Sequence, residues 1–319
     1  MKLKTILASL LAAVSLGGIS LVQASGEAPA TGVDELWGQP IMAYGSSLTE
    51  EQFNEMLEIF GVERNQVDLV DVRGTDVVRL LGVGNPNTQM FSSALINRGE
   101  RGSGIVVNIL TPENITRVTR NQYANAMITA GVSDAVVNVA APFPVTGESA
   151  LAGIFKAYED RGIELEQDRM ELAQQELETT TRIAEDYAHH EDFETENLDH
   201  ALIDIKSNLA DIKEGTGAIA SESQVMEVVQ AALADNNLAD IISQENVQRL
   251  FDLATSYQNT SAITSEQVRE QLQNLAESVT SGWQNLRDRA QESGIIETVT
   301  EHVTNFFASL FDMVRGLLN

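Results

Sequence analysis

The chain has 319 residues, and 47 acidic against 20 basic residues give it a net charge of −27 at pH 7. This excess of negative charge repels a polyphosphate backbone, so nucleic acid is not an expected partner, whereas cations and cationic surfaces are favoured. There is no cysteine, which excludes disulfides, thiolate metal sites and the lipid attachment point of a bacterial lipoprotein. The length suffices for a sizeable core and predicts two domains.

The first 24 residues have the pattern of a secretory signal peptide. Lys2 and Lys4 form a basic start, an apolar stretch follows over residues 6–22, and Val22-Gln23-Ala24 has the small residues of a cleavage site. A membrane anchor is the alternative, but two glycines interrupt a stretch that is already short for a span. We therefore expect cleavage after Ala24, export of the remaining chain and no transmembrane span after cleavage.

The half that follows has the alternating pattern of an α/β domain. Residues 25–35 are small and polar and are predicted to form a linker. Thr49 and Gln52 have the spacing of a capping box, which predicts a helix from residue 50 that Gly61 ends. Apolar runs around this helix predict strands at 36–44 and 67–72, a short helix at 76–81, and a hairpin with strands 90–96 and 105–110 joined by a turn at 99–104.

A parallel crossover is predicted in the middle of the chain. Residues 114–118 have the pattern of a strand end, and Thr119 with Gln122 forms a second capping box, so a helix follows. Gly131 ends this helix, and the apolar residues 136–140 predict a buried strand. If the two strands share a sheet, their connection is a right-handed parallel crossover. A further helix is predicted to open at Thr146 and Gly147.

From residue 163 onward, apolar residues recur at spacings of three and four, which predicts helices at 163–187, 198–212, 225–233, 244–257 and 266–279. Gly215 and Gly217 mark a hinge. We therefore predict a core over residues 36–215, with an α/β part to about residue 160 and acidic helices after it, and a helical C-terminal domain over residues 221–319. The expected fold class is an α/β mixed-sheet N-terminal domain followed by an all-helical C-terminal domain.

The last predicted helix, residues 295–318, has its apolar residues on one broad face. We expect it to pack on the other helices or on a partner. A membrane surface is the alternative, but Arg315 is the only basic side chain of this helix, so it lacks the cationic face that anionic lipids attract.

A histidine-containing acidic segment could bind a divalent cation. Its members are His189, His190, Glu191, Asp192, Glu194, Glu196, Asp199 and His200. Their spacing matches neither a zinc motif nor an EF-hand loop, and carboxylates between two helices more often form a solvated connection. We therefore expect no cofactor, with calcium as the alternative.

Polar residues around the predicted crossover are the candidate binding residues, because an open sheet can offer a ligand crevice there. They are Asn114, Thr116, Tyr123, Asn125, Thr129, Asp134 and Thr146. The alternative is that they only cap and hydrogen-bond turns. The stretch around Ser149 lacks the closing glycine of a nucleophile elbow, and no other nucleophile has its required neighbours. The sequence thus favours a non-enzymatic binding or structural module, with a hydrolase of cell-wall material as the alternative.

The middle of the chain also resembles a known family. The matching residues are Asn114-Ile115-Thr116, Val118-Thr119, Tyr123, Asn125-Ala126, Thr129-Ala130-Gly131, Ala140-Ala141-Pro142, Val145-Thr146-Gly147 and Lys156-Ala157-Tyr158. They resemble the central motif of the secreted bacterial family called domain of unknown function 1002, the YpuA-like proteins. The resemblance covers most of the exported chain before the hinge and implies export from a Gram-positive cell, where an envelope or protein partner is expected. It implies no reaction, so no catalytic residue is carried over.

Overall fold

The structure is a computed structural model that describes the backbone of residues 37–292 and the side chains of residues 37–279. The predicted signal peptide, the linker and the apolar helix at 295–318 lie outside the described residues. The strands are β1 (Ile41–Gly45), β2 (Asp68–Val72), β3 (Ser93–Arg98), β4 (Ile105–Ile109) and β5 (Ala135–Ala140). The helices are α1 (Glu50–Phe60), α2 (Gly74–Leu81), α3 (Arg120–Ala130), α4 (Ser149–Asp160), α5 (Gln167–Asp186), α6 (Thr195–Thr216), α7 (Glu222–Asp235), α8 (Gln244–Gln258) and α9 (Glu266–Glu292).

The strands form one mixed sheet in the order β2-β1-β3-β5-β4, which confirms the expected mixed sheet. Two pairs, β1 with β2 and β4 with β5, are parallel, while β3 is antiparallel to both of its neighbours. The predicted hairpin of β3 and β4 is wrong, because β5 lies between these strands and hydrogen-bonds to both. Val137 and Val139 of β5 are fully buried. The inner position therefore favours β5, because an edge strand would bury less of this apolar surface.

The predicted crossover is present, but a different strand begins it. α3 connects the parallel strands β4 and β5. Residues 114–118, the predicted strand end, form no strand beyond a single bridge between Ile115 and Val145. This bridge ties the segment before α3 to the segment before α4.

Both predicted capping boxes are confirmed. The side chains of Thr49 and Thr119 accept hydrogen bonds from the backbone N–H groups of Gln52 and Gln122, whose side chains accept from the N–H groups of the two threonines. The helices end at Gly61 and Gly131 with φ angles of 67° and 95°, in the left-handed region that glycine adopts without strain. α4 begins at Ser149, two residues beyond the predicted opening at Thr146 and Gly147.

Helices cover the two faces of the sheet unequally. α1 packs through Phe53 and Met56 on Met42 and Leu95, forming a small cluster on one face. The other face belongs to a large cluster that includes α3 to α9 and extends from Ile41 to Val279. On the α1 side Val106 of β4 is 47 % exposed, so the edge of the sheet is open there.

The apolar core is continuous on both sides of the predicted hinge, since α6 and α7 contribute to the same cluster. The division into two domains at residues 215–222 stays a prediction. No helix in the described part of the chain is both long and apolar enough to cross a membrane.

Candidate functional site

Three predicted binding residues hold the connection between β5 and α4. Asn114 Nδ2 donates to the carbonyl of Ala141 at 2.8 Å, and Thr116 Oγ1 donates to that of Val145 at 2.9 Å. The Tyr123 hydroxyl donates to the carbonyl of Gly147 at 2.6 Å. Burial raises the pKa of Tyr123, so its hydroxyl stays protonated and keeps this bond. All three side chains are engaged by backbone acceptors, whereas Thr146 is exposed.

Asn125 and Thr129 face a buried ion pair between α5 and α6. Lys206 Nζ lies 2.6 Å from Glu176 Oε1, and Thr129 Oγ1 donates to Glu176 Oε2 at 2.7 Å. The same ammonium donates to the backbone carbonyl and the Oδ1 atom of Asn125, at 3.3 and 3.4 Å. Burial lowers the pKa of Lys206, while Glu176 opposes this shift. The network joins α3, α5 and α6 inside the core, where a ligand has no access.

Asp134 holds a loop and α9 against the end of the sheet. Its φ of 50° is in the left-handed region, which aspartate tolerates better than most residues. Its Oδ1 atom accepts from the backbone N–H of Gly104 at 3.1 Å and from Gln271 Nε2 at 3.3 Å. The seven predicted residues therefore occupy separate environments, and their binding role stays a prediction.

The acidic histidine segment lies at the connection of α5 and α6. His189 and His190 are exposed, whereas burial lowers the pKa of His200 and raises that of the fully buried Asp199 well above its ordinary value. Within the described residues, no group of three or more histidine, aspartate or glutamate side chains is placed to hold a metal ion. The expectation about calcium stays a prediction.

A cleft of about 230 Å³ lies between α6, the 3₁₀ turn Ser261–Thr264 and α9. Its apolar lining includes Ile203, Ile263 and Leu272, and its polar lining includes Asp204, Ser207 and Gln273. Apolar walls with a few placed polar groups are the usual composition of ligand sites.

Two residues of the lining each lack one kind of partner among the described residues: Asp204 lacks a cation, and the Tyr257 hydroxyl lacks a hydrogen bond. Asp204 accepts a hydrogen bond from Asn236 Nδ2 at 2.7 Å but forms no ion pair among the described residues. Burial, with the nearby Asp235, raises the pKa of Asp204 to about 6. Tyr257 is 2 % exposed, and its hydroxyl has no hydrogen-bond partner within the described part of the chain. Burial raises the pKa of Tyr257, so the hydroxyl remains a donor.

The remaining charges of the cleft are paired. Arg269 lies 3.4 Å from Asp211 and also contacts Glu214, so its guanidinium forms ion pairs with two carboxylates. Burial raises the pKa of Asp211, and the neighbouring guanidinium opposes that shift. The carboxylate of Asp204 is therefore the charged group of the lining that a ligand can reach without first breaking an ion pair.

The model of a family described as protein of unknown function (DUF1002) matches residues 44–275. The chain belongs to this family. The DUF1002 match begins in β1 and ends in α9, so it includes every lining residue of the cleft except Ala276. It also extends beyond the predicted hinge, whereas the resemblance of the sequence motifs covered the chain before it. The chain is 30 % identical over 289 residues to the uncharacterized protein YpuA of Bacillus subtilis (strain 168), covering 89 % of this chain and 91 % of that relative. No solved structure matches the chain.

Sequence reasoning missed the buried ion pair and the cleft. One pattern could have indicated the ion pair: Lys206 stands on the apolar stripe of its helix, four residues after Leu202 and three before Leu209. A charged residue on such a stripe requires a buried partner. The cleft has no comparable signature, because residues from separate helices meet there only in the folded chain.

Proposed function

We propose that this DUF1002 protein is an exported, non-enzymatic binding module of the cell envelope or the extracellular space, and that its binding site is the cleft between α6 and α9. The observation that carries this proposal is the unmatched polar lining of the cleft. Asp204 forms no ion pair and the Tyr257 hydroxyl no hydrogen bond among the described residues, and the cleft is bounded by apolar side chains. Apolar walls around a carboxylate that lacks a cationic partner have the composition of a ligand site.

Export is supported by the amino-terminal sequence pattern. Expression of the full precursor in a Bacillus host tests it. We expect the protein outside the cytoplasm with Ser25 as its first residue. Retention of the uncleaved chain in the cytoplasm would contradict export.

A non-enzymatic role is supported by the way candidate reactive groups are used. A hydrolase needs a nucleophile and a base that are free to meet a substrate. The hydroxyls of Thr116, Tyr123 and Thr129 each donate to an acceptor of the fold, and Ser149 Oγ lies 2.8 Å from Ser92 Oγ. The hydrolase alternative rested on four of the predicted binding residues, and each of these side chains forms a hydrogen bond within the fold: Asn114, Asn125, Thr129 and Asp134.

Ligand-observed NMR with a library of small fragments tests the binding site. Ser207→Trp fills the cleft, and Ser223→Trp makes the same substitution at an exposed position of α7. We expect fragments that bind the wild type and the Ser223→Trp variant but not the Ser207→Trp variant. If no fragment binds, or if filling the cleft leaves binding unchanged, the cleft is not the binding site.

A further inference from the structure

The charge of the cleft indicates which ligands it accepts, an inference that rests on the proposed function. Asp204, Asp211 and Arg269 are the charged residues of its lining, and Asp235 and Glu214 lie directly beside them. The lining and its immediate surroundings therefore hold one guanidinium and four carboxyl groups. The whole chain carries −27, which adds a long-range attraction for cations. An anionic ligand would meet repulsion both on approach and inside the cleft.

The shape of the lining excludes a bare metal ion as the best ligand. Calcium requires six to eight oxygen ligands around one point. In the cleft, Asp204 and Asp211 are seven residues apart on α6, or roughly 10 Å along the helix axis, and Ile203, Ala262 and Ile263 contribute apolar surface. A cation with an apolar part uses both features, because methylene groups can contact the apolar wall while the charge meets a carboxylate.

The volume sets the size of such a ligand. A water molecule takes up about 30 Å³ in the liquid, so a cleft of about 230 Å³ holds roughly eight groups of that size. This is enough for an alkylammonium chain or for a lysine side chain together with part of its backbone.

We propose that the cleft binds an organic cation, a primary ammonium group on an apolar stem. The ammonium lies at Asp204, whose carboxylate has no cationic partner among the described residues, and the stem lies against Ile203 and Ile263. Asp211 is the poorer anchor because Arg269 already pairs with it. A free diamine and the lysine side chain of a partner protein share this chemistry.

Isothermal titration calorimetry of the full exported chain with 1,5-diaminopentane tests the proposal. 1,5-Pentanediol serves as the neutral analogue, and sodium chloride matches the ionic strength. Asp204→Asn keeps the shape of the side chain and removes its charge, while Asp240→Asn removes the same charge from an exposed turn. We expect Asp204→Asn to weaken diamine binding at least tenfold, Asp240→Asn to leave it unchanged, and the diol to bind at least tenfold more weakly than the diamine.

The cation inference would be overturned by equal binding of diol and diamine, or by equal weakening by the two asparagine substitutions. If fragments bind in the cleft but the diamine does not, the proposed binding site stands and the ligand class is wrong. If neither binds, both proposals fail. Nα-acetyl-lysine methylamide distinguishes the two sources: tighter binding than that of the diamine indicates a lysine of a partner protein, and weaker binding indicates a free amine.

Discussion

Lys206 Nζ lies 2.6 Å from Glu176 Oε1, and each side chain is only 2 % exposed, so α5 and α6 are joined by an ion pair inside the core. Removing two charges from water is costly, and their mutual attraction offsets that cost only when the remaining polar atoms are also satisfied. Thr129 and Asn125 supply those further hydrogen bonds from α3. The pair therefore fixes the relative positions of three helices.

Breaking this pair on one side should be strongly destabilising. Lys206→Met leaves the Glu176 carboxylate buried without a cation, so we expect the free energy of unfolding to fall by about 3–5 kcal/mol. Lys213→Met, which removes a partly exposed lysine from the same helix, should change it by less than about 1 kcal/mol. Urea denaturation monitored by circular dichroism measures both values.

The double variant Glu176→Gln/Lys206→Met removes both charges and keeps an acceptor for Thr129. We expect it to be more stable than Lys206→Met alone, because no uncompensated charge remains in the core. If the two variants unfold at the same urea concentration, the ion pair does not have the role assigned to it.

Asp204 should make stability depend on pH. Its folded pKa of about 6 lies above the ordinary 3.8, so the folded chain binds the proton more tightly than the unfolded chain does. Its contribution to stability is therefore greatest below pH 4 and is lost as pH rises through 6. The difference amounts to about 3 kcal/mol at most. Urea titrations at pH 4 to 7 should show Asp204→Asn gaining stability over wild type as pH rises, and parallel curves would contradict the account.

Local patterns predicted the helix ends well because their interactions lie within a few residues. The capping boxes at Thr49 and Thr119 are confirmed, and Ser243 caps α8 through an equally local bond from the backbone N–H of Asn246. Before α9, Thr264 and Gln267 have the same spacing, but here Ser265 Oγ accepts from the backbone N–H of Val268. Gln267 Nε2 donates to Ser133 Oγ at 2.6 Å, so this side chain takes part in a long-range contact and not in the cap.

The order of strands could not be predicted from local patterns. β3 and β4 are separated by a short glycine-containing loop, which is typical of a hairpin. The pairing was decided by β5, more than 25 residues further along, whose register with both strands begins at Ala135. The cleft could not be predicted from local patterns either, because its lining residues Asp204 and Tyr257 lie more than 50 residues apart in the chain.

Tyr123→Phe decides between a structural and a binding role for the residues around the crossover. The substitution removes the bond to the carbonyl of Gly147, so we expect a loss of about 1–2 kcal/mol in the free energy of unfolding. Fragment affinity should be unchanged, because this hydroxyl is buried away from the cleft. A loss of affinity without a loss of stability would indicate that the binding site lies at the crossover and not in the cleft.

The acidic segment between α5 and α6 should respond to ionic strength rather than to calcium itself. We expect the melting temperature to rise equally in calcium chloride and sodium chloride at matched ionic strength, because screening relieves the repulsion between carboxylates. A rise specific to calcium, abolished by replacing Asp192, Glu194 and Glu196 with their amides, would instead indicate a calcium site.

The proposed binding site is the cleft between α6 and α9. Chemical-shift mapping on isotopically labelled protein, with a fragment or with 1,5-diaminopentane, tests this location residue by residue. We predict that the largest shifts fall on residues 203–211 of α6 and on residues 262–276, the two walls of the cleft. Largest shifts on residues 114–147, around the β4–α3–β5 crossover, would contradict the claim.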